Sequence, residues 1–227
     1  MKRTFFNSKS KDKQYLVIGC GRFGSSVAKK MCQLGNEVMV IDKDEDSINN
    51  IAELVTHTAI VDVTEERDLK SIGLGNFDVV IVAISSDIRA SIMATVMAKE
   101  MGVPKVVCKA KDELQAKVLY KIGADKVVFP ERDMGIRLAY NLASENILDQ
   151  INLDPEYSIM EIVTPTNWVG KTIIELNLRA KYDITVLAVK TPSGLKVMPS
   201  PNYKMQEKNI LIIIGNTDKI SDIILEN

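Results

Sequence analysis

A chain of 227 residues, 46% hydrophobic and 26% charged, has the composition of a globular protein with room for one domain of ordinary size and a smaller one. Its net charge of −1 offers no basic surface for nucleic acid, and its longest apolar runs, Val79 to Ile84 and Ile210 to Ile214, fall far short of the roughly 20 residues of a membrane span. Cys20, Cys32 and Cys108 follow no metal-ligand or disulfide spacing, and the polar, basic segment from Met1 to Lys13, which lacks the apolar core of a secretion signal, reads as a disordered extension on a cytoplasmic chain.

The first predicted strand, Tyr15 to Ile18, runs into Gly19-Cys20-Gly21-Arg22-Phe23-Gly24, which opens a helix over Phe23 to Leu34. Gly19 permits the sharp turn, Gly21 lets backbone N–H groups approach phosphate oxygens, and Gly24 lets the helix lie close on the strand. The next strand, Glu37 to Ile41, ends at Asp42. A carboxylate there accepts hydrogen bonds from ribose hydroxyls and repels a 2′-phosphate, so the pattern reads as an adenosine-nucleotide site and not one for NADP. Strands over Thr58 to Val61, Val79 to Ala83, Lys105 to Lys109 and Lys126 to Phe129 then alternate with helices over Asp46 to Leu54, Glu65 to Ile72, Ile88 to Met101 and Lys111 to Ile122. Strands alternating with helices in this way build an α/β fold: a Rossmann-like doubly wound parallel sheet whose ligand sits outside the carboxyl ends of the strands. Asp42, Asp62, Ile84, Ser85, Lys109 and Glu131 are thereby expected around one crevice.

After Pro130 the pattern changes. Apolar residues at Ile136, Tyr140, Ala143 and Ile147, with Leu138 and Leu142 on a neighbouring stripe, predict one long helix over Arg132 to Ile151, apolar on more than a single face. Asn152 to Tyr157, with its Asp-Pro pair, reads as a linker. A small α+β domain follows: strand Ser158 to Val163, helix Ile173 to Arg179, strand Thr185 to Lys190, a turn at Pro192-Ser193-Gly194, strands Lys196 to Met198 and Asn209 to Ile214, and a closing helix from Asp218. The domain plan is therefore an extension over 1–13, a nucleotide-binding domain over 14–131, a crossover and dimerisation segment over 132–153, and a C-terminal domain over 154–227.

Several residues admit two readings. Arg22, a cation on the first turn, opposes the helix dipole unless an anion lies near it. Lys109 at a strand end is a ligand to phosphate or carboxylate, or it snorkels to solvent. Glu131 complements a helix N-terminus or binds a ligand. Cys20, His57 and the methionines of the Ile88 helix read as packing or structural residues. The single histidine, His57, and the absence of an evident acid/base pair in the C-terminal domain disfavour an enzyme. An NAD-dependent oxidoreductase and an NAD(H)-sensing regulator remain the alternatives to a nucleotide-binding regulatory protein.

The motifs Val17-Ile-Gly-Cys-Gly-Arg-Phe-Gly24, Ile41-Asp-Lys-Asp44, Val61-Asp-Val-Thr-Glu-Glu66, Lys121-Ile-Gly-Ala-Asp-Lys-Val127 and Pro130-Glu-Arg-Asp-Met-Gly135, followed by Glu175-Leu-Asn-Leu-Arg179 and Ile184-Thr-Val-Leu-Ala-Val189, resemble the RCK/KTN regulators of potassium transport over nearly the whole chain. The resemblance implies a non-enzymatic cytosolic gating subunit. Homodimers would assemble into an octameric ring on the inner face of the cell membrane, held there by a membrane-embedded potassium-transporting subunit of the KtrB or TrkH kind. It implies ATP or ADP, with NAD(H) as a further nucleotide, bound by Gly19, Gly21, Arg22, Phe23, Gly24, Asp42, Lys43, Asp62, Val63, Ile84, Lys109 and Glu131. Glu131 would hold Mg2+ or another cation (Ca2+ or Na+) at the phosphates. In the C-terminal domain it implies cyclic di-AMP between paired copies, on Ile173, Ile174, Leu178, Arg179, Ile184 and Pro201, as against a plain dimerisation domain.

Overall fold

The computed structural model describes residues 13–143, 147–154 and 156–225; the expected extension, apart from Lys13, lies outside them. The chain divides into two compact units, one ending at Arg132 and the other starting at Asp133.

In the first unit, strands β1 (Gln14–Ile18), β2 (Glu37–Asp42), β3 (His57–Ile60), β4 (Val79–Val82), β5 (Lys105–Lys109) and β6 (Lys126–Val128) form one sheet in the order β3-β2-β1-β4-β5-β6. Every pairing is parallel. Successive residues of β1 face opposite sides of the sheet, and both sides are buried. Leu16 and Ile18 join one core with Val80, Val82 and Val106, and Val17 joins the other with Val38, Val40 and Ile81. Helices α1 (Arg22–Gln33) and α2 (Glu45–Ile51) supply Ala28, Ile48 and Ile51 to the second core, while α3 (Glu66–Ser71), α4 (Ile88–Glu100) and α5 (Glu113–Lys121) supply Leu69, Ala94, Met97, Ala116 and Leu119 to the first. The sheet is thus doubly wound as predicted. The crossovers from β1 and β4 lie on opposite faces, which opens a crevice between the carboxyl ends of these two neighbours.

Helix α6 (Pro130–Ala143) follows β6 and runs across the boundary into the second unit. It stops well short of Ile151. Residues Ile147–Asn152 form strand β7, antiparallel to β8 (Tyr157–Val163), so the long helix predicted through Ile151 is corrected here. The spacing that suggested it also fits a strand, and the pairing edge of β8 decides between them. Asn152 to Tyr157, expected as a linker, joins these two paired strands, and the Asp154 carboxylate accepts from the N–H groups of Glu156 (2.8 Å) and Tyr157 (2.7 Å).

Strands β9 (Ile184–Thr191), β10 (Gly194–Val197) and β11 (Ile210–Asn216) complete an antiparallel sheet in the order β10-β9-β11-β8-β7. The helix expected over Ile173 to Arg179 is two short ones, α7 (Ile173–Leu176) and α8 (Leu178–Tyr182), broken at Asn177, whose φ of 46° is left-handed. With the closing helix α9 (Thr217–Leu225), they supply Leu176, Leu178, Ile220 and Ile223 to a core shared with Met160, Ile162, Leu211 and Ile213.

Ile147 belongs to that core and is 7% exposed. Ile147→Ala should therefore lower the stability of the C-terminal unit by about 2 kcal/mol, read as a shift of the urea midpoint without a change of slope.

Candidate nucleotide-binding site

The loop from β1 to α1 forms the floor of the crevice. Gly19 has a φ of +100°, and a Cβ on Gly24 would lie 1.9 Å from the Gly19 carbonyl oxygen and 3.0 Å from the Ala83 methyl. Nothing but glycine fits at position 24. Gly21 differs: no atom lies within 4 Å of its missing Cβ, and it is exposed on the crevice wall. Its lack of a side chain keeps the approach open. Helices α2, α4 and α5 are capped by Asp44, Asp87 and Asp112, whereas α1 has neither a side-chain cap nor an acidic residue in its first turn. Arg22 and Phe23 of that turn line the crevice, so the uncapped positive end of α1 is available to an anion.

Asp42 ends β2 with both carboxylate oxygens already engaged. Oδ2 accepts from the Cys20 N–H at 2.6 Å and Oδ1 from the Asp44 N–H at 3.0 Å. Each oxygen retains a second acceptor position for a hydroxyl. Behind this carboxylate Cys20 is buried, its thiol donating to the Ser47 carbonyl at 3.3 Å, and burial pushes its pKa up, so it packs as expected. Asp62 accepts from the Thr64 N–H (2.9 Å) and hydroxyl (2.8 Å), which holds its carboxyl below the usual range.

On the far wall, Lys109 donates to Glu131 Oε1 at 2.6 Å, with its ammonium 6.0 Å from the centre of the Phe23 ring. The lysine side chain is 12% exposed and the glutamate 64%. That hydrogen bond, with a smaller contribution from Arg22, lowers the Glu131 pKa and keeps it a carboxylate. The crevice encloses about 390 Å³, within the range of small-ligand sites. Gly19, Gly21, Arg22, Phe23, Asp42, Lys43, Asp62, Val63, Ile84, Lys109 and Glu131, all expected from the sequence, line it, and Gly24 lies beneath. Ile18, Ile41, Val61 and Ala83, at or beside the strand ends, also line it without being among the expected site residues, as do Ser86, Asp87 and Ala90. The signal for the last three was the Ser85-Ser86-Asp87 segment between a buried strand and a helix, where Asp87 caps α4 by accepting from the Ala90 N–H at 3.0 Å.

In the second unit, the Ile174 N–H donates to the Pro201 carbonyl at 3.0 Å, and Ile174, Arg179 and Pro201 are exposed while Ile173 is half-buried. Leu178 and Ile184, expected among the ligand-facing residues, are instead core side chains, 2% and 1% exposed. Their hydrophobicity is used in holding α8 and β9 together.

Residues 15–130 match the TrkA-N domain and residues 158–225 the TrkA-C domain. The chain belongs to the RCK/KTN family. Within it, the chain is 45% identical over 209 residues to Ktr system potassium uptake protein C of Bacillus subtilis, covering 92% of this chain and 95% of that protein. It is 36% identical over 214 residues to Ktr system potassium uptake protein A of Vibrio alginolyticus, covering 94% and 97%. Among solved structures, the GsuK RCK domain superposes with a TM-score of 0.66 at 16% identity, over 96% of this chain and 48% of that one. The GsuK channel bound to NAD gives the same score and identity over 96% and 40%. These likenesses establish the RCK fold.

The two glycines of the floor should separate fold from access. Gly24→Ala is expected to cost about 1–3 kcal/mol or more through overpacking, while Gly21→Ala stays within about 1 kcal/mol of the parent; thermal unfolding of both variants measures the difference.

Proposed function

We propose that the chain is the cytosolic regulatory subunit of a potassium-uptake system, and that ATP and ADP, bound in the crevice of the first unit, set the conformation that gates a membrane-embedded potassium-transporting partner. The observation that carries this reading is the shared geometry of Asp42 and the open end of α1. A carboxylate suited to ribose hydroxyls and an anion-seeking helix terminus face one cavity. Arg22 extends from that terminus and is suited to a bidentate contact with an outer phosphate. Glu131 offers one carboxylate on the far wall. One carboxylate with phosphate oxygens suits Mg2+ or another hard cation, and among the described residues no cluster of three or more His, Cys, Asp or Glu forms a metal site by itself.

NAD(H) is the second reading, favoured by the continuation of the crevice past Ile84 to Ser86 on the far side of the strand junction. Competition among ATP, ADP and NADH for the purified chain decides between them. Asp42→Ala should weaken each adenosine nucleotide by about tenfold or more, since hydrogen bonds to a charged group contribute about 1.5–3 kcal/mol; unchanged titrations would remove the ribose assignment.

Assembly follows from α6. Met134, Ile136, Leu138 and Leu142 are 47% to 76% exposed on it, and Arg137 holds the helix to β7 through Asp149, its Nε donating to Oδ1 at 2.7 Å. We read this apolar surface as the homodimer contact from which an octameric ring is built. The exposed Ile174, Arg179 and Pro201, with the half-buried Ile173, form the candidate cyclic di-AMP surface of the paired C-terminal domains. Among the described residues no helix is long and apolar enough to cross a membrane, and the proposed location is the inner face of the cell membrane, through the transporting partner.

Leu138→Asp is expected to lower the solution mass toward that of the monomer in light scattering; a mass equal to the parent's would remove α6 from the contact. Switching requires a ligand with unequal affinity for two states, and Arg22 is the residue proposed to create the inequality. Arg22→Ala should weaken ATP much more than ADP and abolish ATP-dependent potassium flux in reconstituted vesicles, whereas equal losses for both nucleotides would place discrimination elsewhere.

A further inference from the structure

The Lys109–Glu131 pair occupies the wall where a phosphate-binding crevice needs free positive charge. Three cations line the crevice, Arg22, Lys43 and Lys109, and of these three only Lys109 has an ion-pair partner among the described residues. The two partners differ in their surroundings. The lysine is largely buried, with its ammonium near the face of Phe23, while the glutamate is mostly in solvent at the start of α6. Burial of an ammonium without a counter-charge is costly, and Glu131 supplies that counter-charge from within the chain. An exposed carboxylate loses little by returning to water. With Glu131 seated, the lining also carries Asp42, Asp62 and Asp87, so that carboxylates outnumber cations and repel an incoming phosphate.

We propose that Glu131 is an intramolecular competitor for the phosphate site: it neutralises Lys109, and a nucleotide phosphate must displace it to reach the lysine. Resting on the nucleotide reading given above, this makes Glu131 a residue that sets the threshold for phosphorylated ligands, and Lys109 the point charge they compete for. Displacement also frees the carboxylate at the second residue of α6, the helix that runs on into the C-terminal unit.

The test is equilibrium titration of the full chain with ADP and with adenosine, in EDTA so that no divalent cation contributes. Glu131→Gln should bind ADP about twofold to fivefold more tightly than the parent, the size expected when an ion pair of up to about 1 kcal/mol no longer has to be broken. Adenosine, which has no phosphate to compete, should bind both proteins equally. Lys109→Met should weaken ADP about tenfold, and adding Glu131→Gln to it should then change ADP affinity by less than twofold. Weaker or unchanged ADP binding by Glu131→Gln, or an equal gain for adenosine, would overturn the competitor role. A parent chain that binds neither ADP nor adenosine would instead remove the nucleotide reading, a separate failure from an ADP-binding chain indifferent to Glu131.

Discussion

Helix α1 begins so close to the sheet that the backbone of the β1–α1 loop and the α carbon of Gly24 share a space with no room for a methyl group. The rest of the crevice depends on that contact. It forces Gly19 into a left-handed turn, and Cys20 is thereby placed with its N–H on Asp42. The loop is thus joined to the end of β2, and the Asp42 carboxylate and the uncapped helix terminus are held at fixed separation. Such preorganisation lowers the cost of binding, because the groups that meet the ligand have already lost their freedom in folding.

The two walls of the crevice are arranged differently. On the Asp42 side, each acidic group is fixed by hydrogen bonds from its own loop: Asp42 by Cys20 and Asp44, and Asp62 by Thr64. On the Lys109 side, two residues 22 positions apart in sequence hold each other across the ends of neighbouring strands. The first arrangement is local and rigid. The second joins a largely buried ammonium to an exposed carboxylate, and it is the wall on which the proposed competition with phosphate rests. Because Glu131 lies on α6, a change at this wall occurs at the start of the helix that enters the second unit.

That second unit is an antiparallel sheet with one face sealed by its own helices. Along β8 and β11, fully buried residues alternate with half-buried ones. On the sealed face lie Met160, Ile162, Leu211 and Ile213. The other face carries Ile159, Ile212 and Ile214 around an ion pair in which Lys190 donates to Glu161 at 2.6 Å. Antiparallel sheets tolerate such a division where parallel ones rarely do, which is why the two halves of one chain differ in surface character although their compositions are similar.

The first unit was legible in the sequence because its signals are local. The glycine spacing follows from backbone sterics within one loop, the alternation of apolar runs with helix-period segments shows in short stretches of sequence, and Asp42 is located by its place at the end of one such run. The residues around the crevice followed from topology, since a doubly wound sheet brings the carboxyl ends of its strands together whatever their order in the chain. Tertiary structure decided the remainder. Ile147 to Ile151 carries a spacing compatible with helix or strand, and only the unpaired edge of β8 makes it a strand. Leu178 and Ile184 look like ligand-facing apolar residues until the fold of the C-terminal unit turns them inward, while Ile174 remains outside. The pairing of Lys109 with Glu131 could not be read from either residue alone. Two side chains with separate affinities for anions and cations become partners only when β5 and the start of α6 place them within hydrogen-bonding distance, and long-range geometry of that kind is absent from local sequence.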